Sequence, residues 1–204
     1  MPEAGRVIAG AARGLRLTGP GGATRPLGDR VKEVLFGSLE GGGLGPWPVA
    51  FLDLFAGSGA AGVEALSRGA PRATFVERGP AALAAIRANL ERLGPDLASL
   101  ARIEAAEVLA FLEVGSARGG GPYGAVLVDP PYGDATLGPA LVRLADPAGG
   151  WLEAEGVVVA KHFWRSAPVE AMGGLVLVRR RRLGETALSI YRPTAAAGAG
   201  AAGS

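Results

Sequence analysis

The stretch "FLDLFAGSGAAGVEAL", Phe51 to Leu66, decides the fold. Its apolar beginning, interrupted only by Asp53, has the length of a buried strand. A glycine-rich turn follows, and then small and apolar residues at helical spacing. Gly57, Gly59 and Gly62 fit G-x-G-x-x-G, and Glu77 lies 20 residues after Gly57, at the end of the next apolar run. Glycines in such a turn let a ligand approach the backbone at a helix N-terminus. A carboxylate closing the second strand can accept bonds from both hydroxyls of a ribose. The unit therefore predicts a site for an adenosine-containing cofactor, NAD among the candidates. The plain structural alternative is a turn that packs helix on strand and holds nothing.

Working outward, strands alternate with helices, which means a mostly parallel sheet and a Rossmann-like α/β fold. Strands are expected at Val49–Leu54, Ala73–Glu77, Ala101–Glu104, Ala125–Asp129 and Gly156–Lys161. Helices are expected at Ala60–Arg68, Pro80–Leu93, Glu107–Leu112 and Leu137–Leu144. Before them, "RVIAGAARGLRL" (Arg6–Leu17) reads as a hairpin around a glycine turn, and Asp29 can cap a helix whose Val31, Val34, Leu35 and Leu39 share a face. After them, "LVLVRRRRLGETALSIYR" (Leu175–Arg192) reads as two strands in succession, hence an antiparallel edge. The expected organisation is an N-terminal hairpin extension over residues 1–24, one catalytic domain over 25–193, and a disordered Ala/Gly tail over 194–204.

Composition narrows the chemistry. At 204 residues and 49% apolar, the chain can bury one sizeable core. It has no cysteine, which excludes disulfides, a thiol nucleophile and thiolate-held metal. The one histidine, His162, is expected to be structural, and Trp47, Trp151 and Trp164 are expected to pack; no metal is expected. No apolar run approaches the roughly 18 residues of a membrane span, and the N-terminus is a poor signal peptide. A cytoplasmic location without membrane partners is the expectation. Of 21 basic residues only Lys32 and Lys161 are lysines. Arginines cluster early, at Arg13, Arg16, Arg25 and Arg30, and again at Arg179–Arg182. As a strand, that second cluster would point alternately to two faces.

Asp53 chooses between cofactors. A carboxylate just before the glycine turn would repel a pyrophosphate, whereas S-adenosylmethionine carries a sulfonium and an ammonium and no phosphate. The second motif is "LVDPPYG", Leu127 to Gly133. Prolines lack N–H groups but keep their carbonyls, so Asp129-Pro130-Pro131 makes a mouth rich in acceptors and poor in donors, with the flat ring of Tyr132 at its edge. An amino group suits it.

With these residues in place, "DLFAGSGAAGVEALSRGA", Glu77 and "DPPY" resemble the S-adenosylmethionine-dependent methyltransferases that modify exocyclic or amide nitrogens. "RVIAGAARGLRL", "TRPLGDRVKEVLFGSL", "VLVDPPYG" and "LGETALSIYR" occur in the order seen in the RsmD family, bacterial enzymes acting on guanine N2 of small-subunit ribosomal RNA. The resemblance covers nearly everything from Arg6 to Arg192. It implies the methyltransferase fold, with an N-terminal hairpin and helix and an antiparallel C-terminal edge strand.

Carried over by position, Asp53, Phe55, Ala56, Gly57, Ser58, Gly59, Glu77 and Glu107 would bind the cofactor, Glu107 at the adenine. Asp129 and the Pro130 carbonyl would accept the target amino group, and Tyr132 would stack on the base. Pro131, Arg13, Arg16, Arg25 and Arg30 would engage the RNA, bare or in an assembling subunit. Two departures stand out. Leu27 replaces the family's usual second threonine of "TRPT", and Glu107 stands where an aspartate is usual. DPPY alone fits an adenine N6 amino group equally well, so an adenine-N6 methyltransferase on DNA or RNA is the alternative. A non-catalytic RNA-binding module is a further one.

Overall fold

The computed structural model describes residues 2–21, 27–41 and 47–194. Arg25 and residues 195–204 of the expected tail lie outside the described residues. Near the N-terminus, β1 (Glu3–Arg6) and β2 (Arg16–Thr18) pair antiparallel, and α1 (Asp29–Gly41) follows. The alternating part begins with β3 (Phe51–Leu54), α2 (Ala60–Ser67), β4 (Ala73–Glu77), α3 (Pro80–Leu93), α4 (Pro95–Ala98) and β5 (Ala101–Ala105). It continues with α5 (Val108–Glu113), α6 (Ser116–Gly119), β6 (Tyr123–Val128), α7 (Leu137–Ala145) and β7 (Leu152–Phe163). A short β8 (Ala171–Met172) precedes the long pair β9 (Leu175–Leu183) and β10 (Thr186–Pro193).

The main sheet has the order β5-β4-β3-β6-β7-β10-β9-β8. β3 to β7 run parallel, and the last three strands are antiparallel, so the expected edge is three strands wide. From β3 the chain builds outward through β4 and β5, then crosses back to β6 on the other side. That reversal leaves a crevice at the carboxyl ends of β3 and β6, where open α/β sheets bind ligands. Among the described residues no helix is long and apolar enough to cross a membrane.

Strand alternation sorts the core into two layers. Phe51, Phe75, Leu127, Val159 and Leu188 face the layer that holds α1, α2 and α3. Leu52, Leu54, Val76, Val128 and Val158 face α5 and α7. Asp53 shares the Phe51 face and so lies under the start of α2.

The hairpin strands lie further out than the expected Arg6–Leu17; the intervening backbone keeps cross-bonds such as Val7 N–H to the Leu15 carbonyl at 2.8 Å, but it also bonds to α2. Glu64, fully buried on α2, accepts the N–H groups of Ile8 at 2.8 Å and Ala9 at 3.0 Å. The Ser67 hydroxyl accepts from Ala12 N–H at 2.9 Å and donates to the Ala9 carbonyl at 2.6 Å. At the other end, the Asn89 carbonyl oxygen of α3 takes the Thr18 N–H at 2.8 Å. Ala4, Val7 and Leu17 join the same apolar layer as α1 to α3, so the hairpin is fixed to the sheet rather than free.

Candidate active site

A crevice of about 940 Å³ opens at the switch point, lined among others by Asp53, Phe55, Ala56, Gly57 and Glu77, and on the other side by Asp129 to Tyr132. Both sequence motifs therefore meet in one cavity, of a volume suited to a small organic molecule.

The glycine turn is organised by carboxylates. Asp53 Oδ2 accepts the Gly62 N–H at 3.0 Å. Gly59 is the N-cap of α2 and has no side chain to cap with, so Asp53 caps the helix from β3. Glu77 Oε2 accepts the Gly57 N–H at 2.9 Å, and Oε1 accepts those of Arg78 and Gly79, both at 2.8 Å. Two N–H groups of the turn and helix start, those of Gly57 and Gly62, are thus already given to carboxylates, which sets negative charge where a pyrophosphate would lie. Burial pushes the Asp53 carboxyl well above the usual range, and the nearby Asp129 and Glu77 charges push it the same way, against the Gly62 bond. An anion would find no welcome here; a cation would relieve the site.

Two glycines are required by packing. Gly59 has a left-handed φ of 77°, and a Cβ there would crowd Ile86 and Phe75 at 3.2 Å. A Cβ on Gly62 would come within 2.2 Å of the Phe75 ring. Neither lines the crevice, unlike Gly57 and Ser58. Phe55 is the one described non-glycine residue with positive φ, 63°, a conformation that costs roughly 1–2 kcal/mol and turns the chain sharply out of β3.

At the second motif, Asp129 follows the last residue of β6, half-buried. Its Oδ1 is 2.5 Å from the Lys161 ammonium at the end of β7. Among the described residues Lys161 is its only side-chain partner; Oδ2 accepts no hydrogen bond there, and the residue lines the crevice. Burial raises the Asp129 carboxyl above its ordinary value, and the Lys161 charge works against that rise. The Pro131 carbonyl is occupied by the Asp134 N–H at 3.0 Å, whereas that of Pro130 accepts nothing among the described residues. Tyr132 is 44% exposed, with its hydroxyl bonded to that of Thr186 and its ring 5.2 Å from the Lys161 nitrogen.

Other expected residues fall elsewhere. Glu107 is the N-cap residue of α5, with its carboxylate paired to Arg78 at the rim; Ala106 and Val108, not Glu107, line the crevice. Arg13 sits in the hairpin turn that docks on Ser67, the last residue of α2, whose N-terminus borders the crevice. An eight-residue helix is about 12 Å long, so Arg13 is displaced from the mouth by about that length. Arg16 pairs with Glu3 at 2.9 Å, and Arg30 is exposed near Gly28, which lines the crevice. Leu27 contributes an apolar wall in place of a hydroxyl.

His162 is buried between the Phe163 carbonyl and the Ser189 hydroxyl, each at 2.8 Å, with burial lowering its pKa; it holds strands together. Trp151 is buried against Phe111, but Trp164 is not a core residue. Sequence reasoning missed Lys161 as a site residue. The available signal was a lone lysine ending the strand beside the one that carries Asp129.

A parallel sheet with an acid-walled crevice at β3 and an Asp-Pro-Pro-Tyr mouth at β6 is the arrangement of a methyltransferase. Residues 5–192 match the family described as Conserved hypothetical protein 95. The chain is 34% identical to Ribosomal RNA small subunit methyltransferase D of Escherichia coli K12, over 92% of this chain and 89% of that one. It is 37% identical to YlbH of Bacillus subtilis, provisionally named an rRNA methyltransferase, over 92% and 98%. The solved structure of the Escherichia coli protein yhhF, provisionally a methyltransferase, superposes with a TM-score of 0.79 at 31% identity, covering 95% of this chain and 99% of that one. The chain belongs to this family, the RsmD family of methyltransferases.

Proposed function

We propose that the protein transfers a methyl group from S-adenosylmethionine to the exocyclic N2 of a guanine in small-subunit ribosomal RNA, in the cytoplasm. The observation that carries this reading is the pairing of an open Asp129 oxygen and an unoccupied Pro130 carbonyl with an acid-walled crevice. The family relatives, named for small-subunit ribosomal RNA, supply the choice of nucleic acid.

When bound, S-adenosylmethionine supplies an electrophilic methyl carbon on a positive sulfur. Asp53, Phe55, Ala56, Gly57 and Ser58 would hold it, with Glu77 at the ribose hydroxyls. Glu77 can keep its backbone bonds and still accept from a hydroxyl, because a carboxylate has about four acceptor sites. The adenine would lie by Ala106 and Val108, and Glu107 would reach its amino group by sharing Arg78. Gly59 would shape the turn.

On the substrate side, Asp129 Oδ2 and the Pro130 carbonyl would accept the two N–H bonds of the guanine amino group. Held so, the nitrogen pyramidalises and its lone pair is freed from the ring. Positioning and fixed dipoles supply the rate enhancement. The nitrogen's proton becomes acidic only as the new N–C bond forms, and then passes to Asp129 or to water. Tyr132 would stack on a base taken out of its helix. Arg30 lies one or two residues from the crevice-lining Gly28 and Val31, and Arg16 would first have to leave Glu3.

The test is transfer of labelled methyl to unmethylated small-subunit RNA, bare and in assembling particles, followed by digestion to nucleosides. N2-methylguanosine is expected. Label in N6-methyladenosine instead would overturn the choice of base.

A further inference from the structure

The sequence points to the N-terminal arginines for RNA contact, yet the opposite side of the mouth also carries guanidinium groups. Among the described residues Arg165 and Arg182 there form no ion pair, whereas Arg78 at the rim is paired with Glu107. β7 ends beside Asp129, and the β9–β10 turn lies next to it, because Thr186 pairs with Phe163 and lines the crevice. A run of aromatic and cationic side chains leads outward from there. The Lys161 ammonium is 5.2 Å from the Tyr132 ring. Tyr132 meets Phe163 edge-on with centroids 6.4 Å apart, and Phe163 lies 6.3 Å from Trp164. The indole of Trp164 carries the Arg182 guanidinium at 3.6 Å and that of Arg165 at 4.7 Å.

Arg182 is held for a purpose other than an ion pair. Its Nε–H is donated to the Gly184 carbonyl at 2.9 Å, and its plane rests on the indole. Its two terminal nitrogens have no protein partner among the described residues, and Arg165 has none at all. A stacked, exposed guanidinium with a free fork suits a phosphate's paired oxygens. By contrast Arg6, Arg16 and Arg78 are engaged by Asp29, Glu3 and Glu107. A carboxylate, Glu185, sits in the same turn, so the platform is not uniformly positive.

We propose that Trp164, Arg165 and Arg182 form a docking platform for the single-stranded RNA that flanks the target nucleotide. Their guanidinium groups would bind backbone phosphates, and Tyr132 and Phe163 would line the path into the crevice. This rests on the nucleic-acid substrate proposed above and extends it to a surface. Aromatic side chains interleaved with arginines are how proteins hold single strands without reading their sequence.

The test is binding of a fluorescein-labelled single-stranded RNA of about ten nucleotides, without cofactor, across a salt series. Arg165→Gln with Arg182→Gln should lower the slope of log Kd against log salt by about 1.4, two charges at roughly 0.7 each. Trp164→Ala, which removes the ring that both guanidinium groups rest on, should weaken binding about tenfold, in the range of an aromatic position in a single-strand site, and Trp164→Phe should recover most of it. S-adenosylhomocysteine affinity should not move, and in methylation KM for RNA should rise with little change in kcat. Arg13→Gln should bind like the parent. Unchanged RNA binding in the platform variants, or a greater loss at Arg13→Gln, would overturn the proposal. Because binding is read without methyl transfer, a parent that binds RNA through this surface but methylates no guanine would sink the activity and leave the platform standing.

Discussion

The Lys161 ammonium lies 2.5 Å from Asp129 Oδ1, joining the ends of two neighbouring parallel strands at the point where the target amino group would dock. The pair does two things. It occupies one carboxylate oxygen and leaves the other without a partner among the described residues, and it opposes the rise in pKa that burial imposes on Asp129. Replacing Lys161 with Met removes the charge that opposes burial, so the Asp129 pKa should climb further. A protonated Asp129 is a poorer acceptor. The acid side of the pH–rate profile should therefore move to higher pH, with activity recovering as pH rises, and Lys161→Arg should return it most of the way. Single-turnover methylation across pH measures this; an unshifted profile would mean that Lys161 has no hold on Asp129.

Asp129 itself touches the proposed substrate and not the glycine turn. Asp129→Ala should lower kcat by a hundredfold or more, roughly the cost of a lost charge-stabilising group, while cofactor affinity by calorimetry stays within about twofold. Equal loss of both would misplace Asp129.

Asp53 should respond in the opposite sense to a stabilising acid. Its folded pKa is raised by burial, so its contribution to stability is most favourable at low pH and declines as pH rises from its unfolded value toward the folded one. Above that window the parent carries the full cost of a buried charge. Asp53→Asn can still accept the Gly62 N–H and lacks that cost. Its Tm at pH 8 should be equal to or above the parent's, its stability should vary less with pH, and its affinity for a cationic cofactor should fall. Thermal melts at pH 5 and pH 8, paired with calorimetry, check all three.

Glu64 is a structural pin. Glu64→Ala would strand two backbone N–H groups and leave the largely buried Arg68 with Glu40 alone. The loss should be about 3 kcal/mol in urea unfolding. Glu64→Gln, which keeps an acceptor, should lose less.

Much of the site was legible before any coordinates. Asp53, Gly57, Glu77 and Asp129 sit where the strand-turn-helix pattern and the apolar run before Asp-Pro-Pro-Tyr put them, since each is tied to the end of a strand by a few residues of chain. Glu107 was legible as the start of α5 but not as the partner of Arg78, because which way an N-cap side chain leans depends on the rim opposite. Gly59 and Gly62 were read from their spacing as one ligand turn. The space around Phe75 and Ile86 gives both to packing.

Local pattern alone settled the order of strands and helices, the parallel core and the acceptor-rich mouth, because hydrophobic period, glycine conformation and the missing N–H of proline act within a few residues. Only the tertiary structure decided what stands across from that mouth. Lys161 reaches Asp129 from 32 positions away, and Arg182 covers Trp164 from the far side of a strand turn. It also fastened the hairpin to a buried Glu64 and carried Arg13 away from the mouth. Such contacts join segments brought together by sheet order and docking, and no local periodicity encodes which charge will face which.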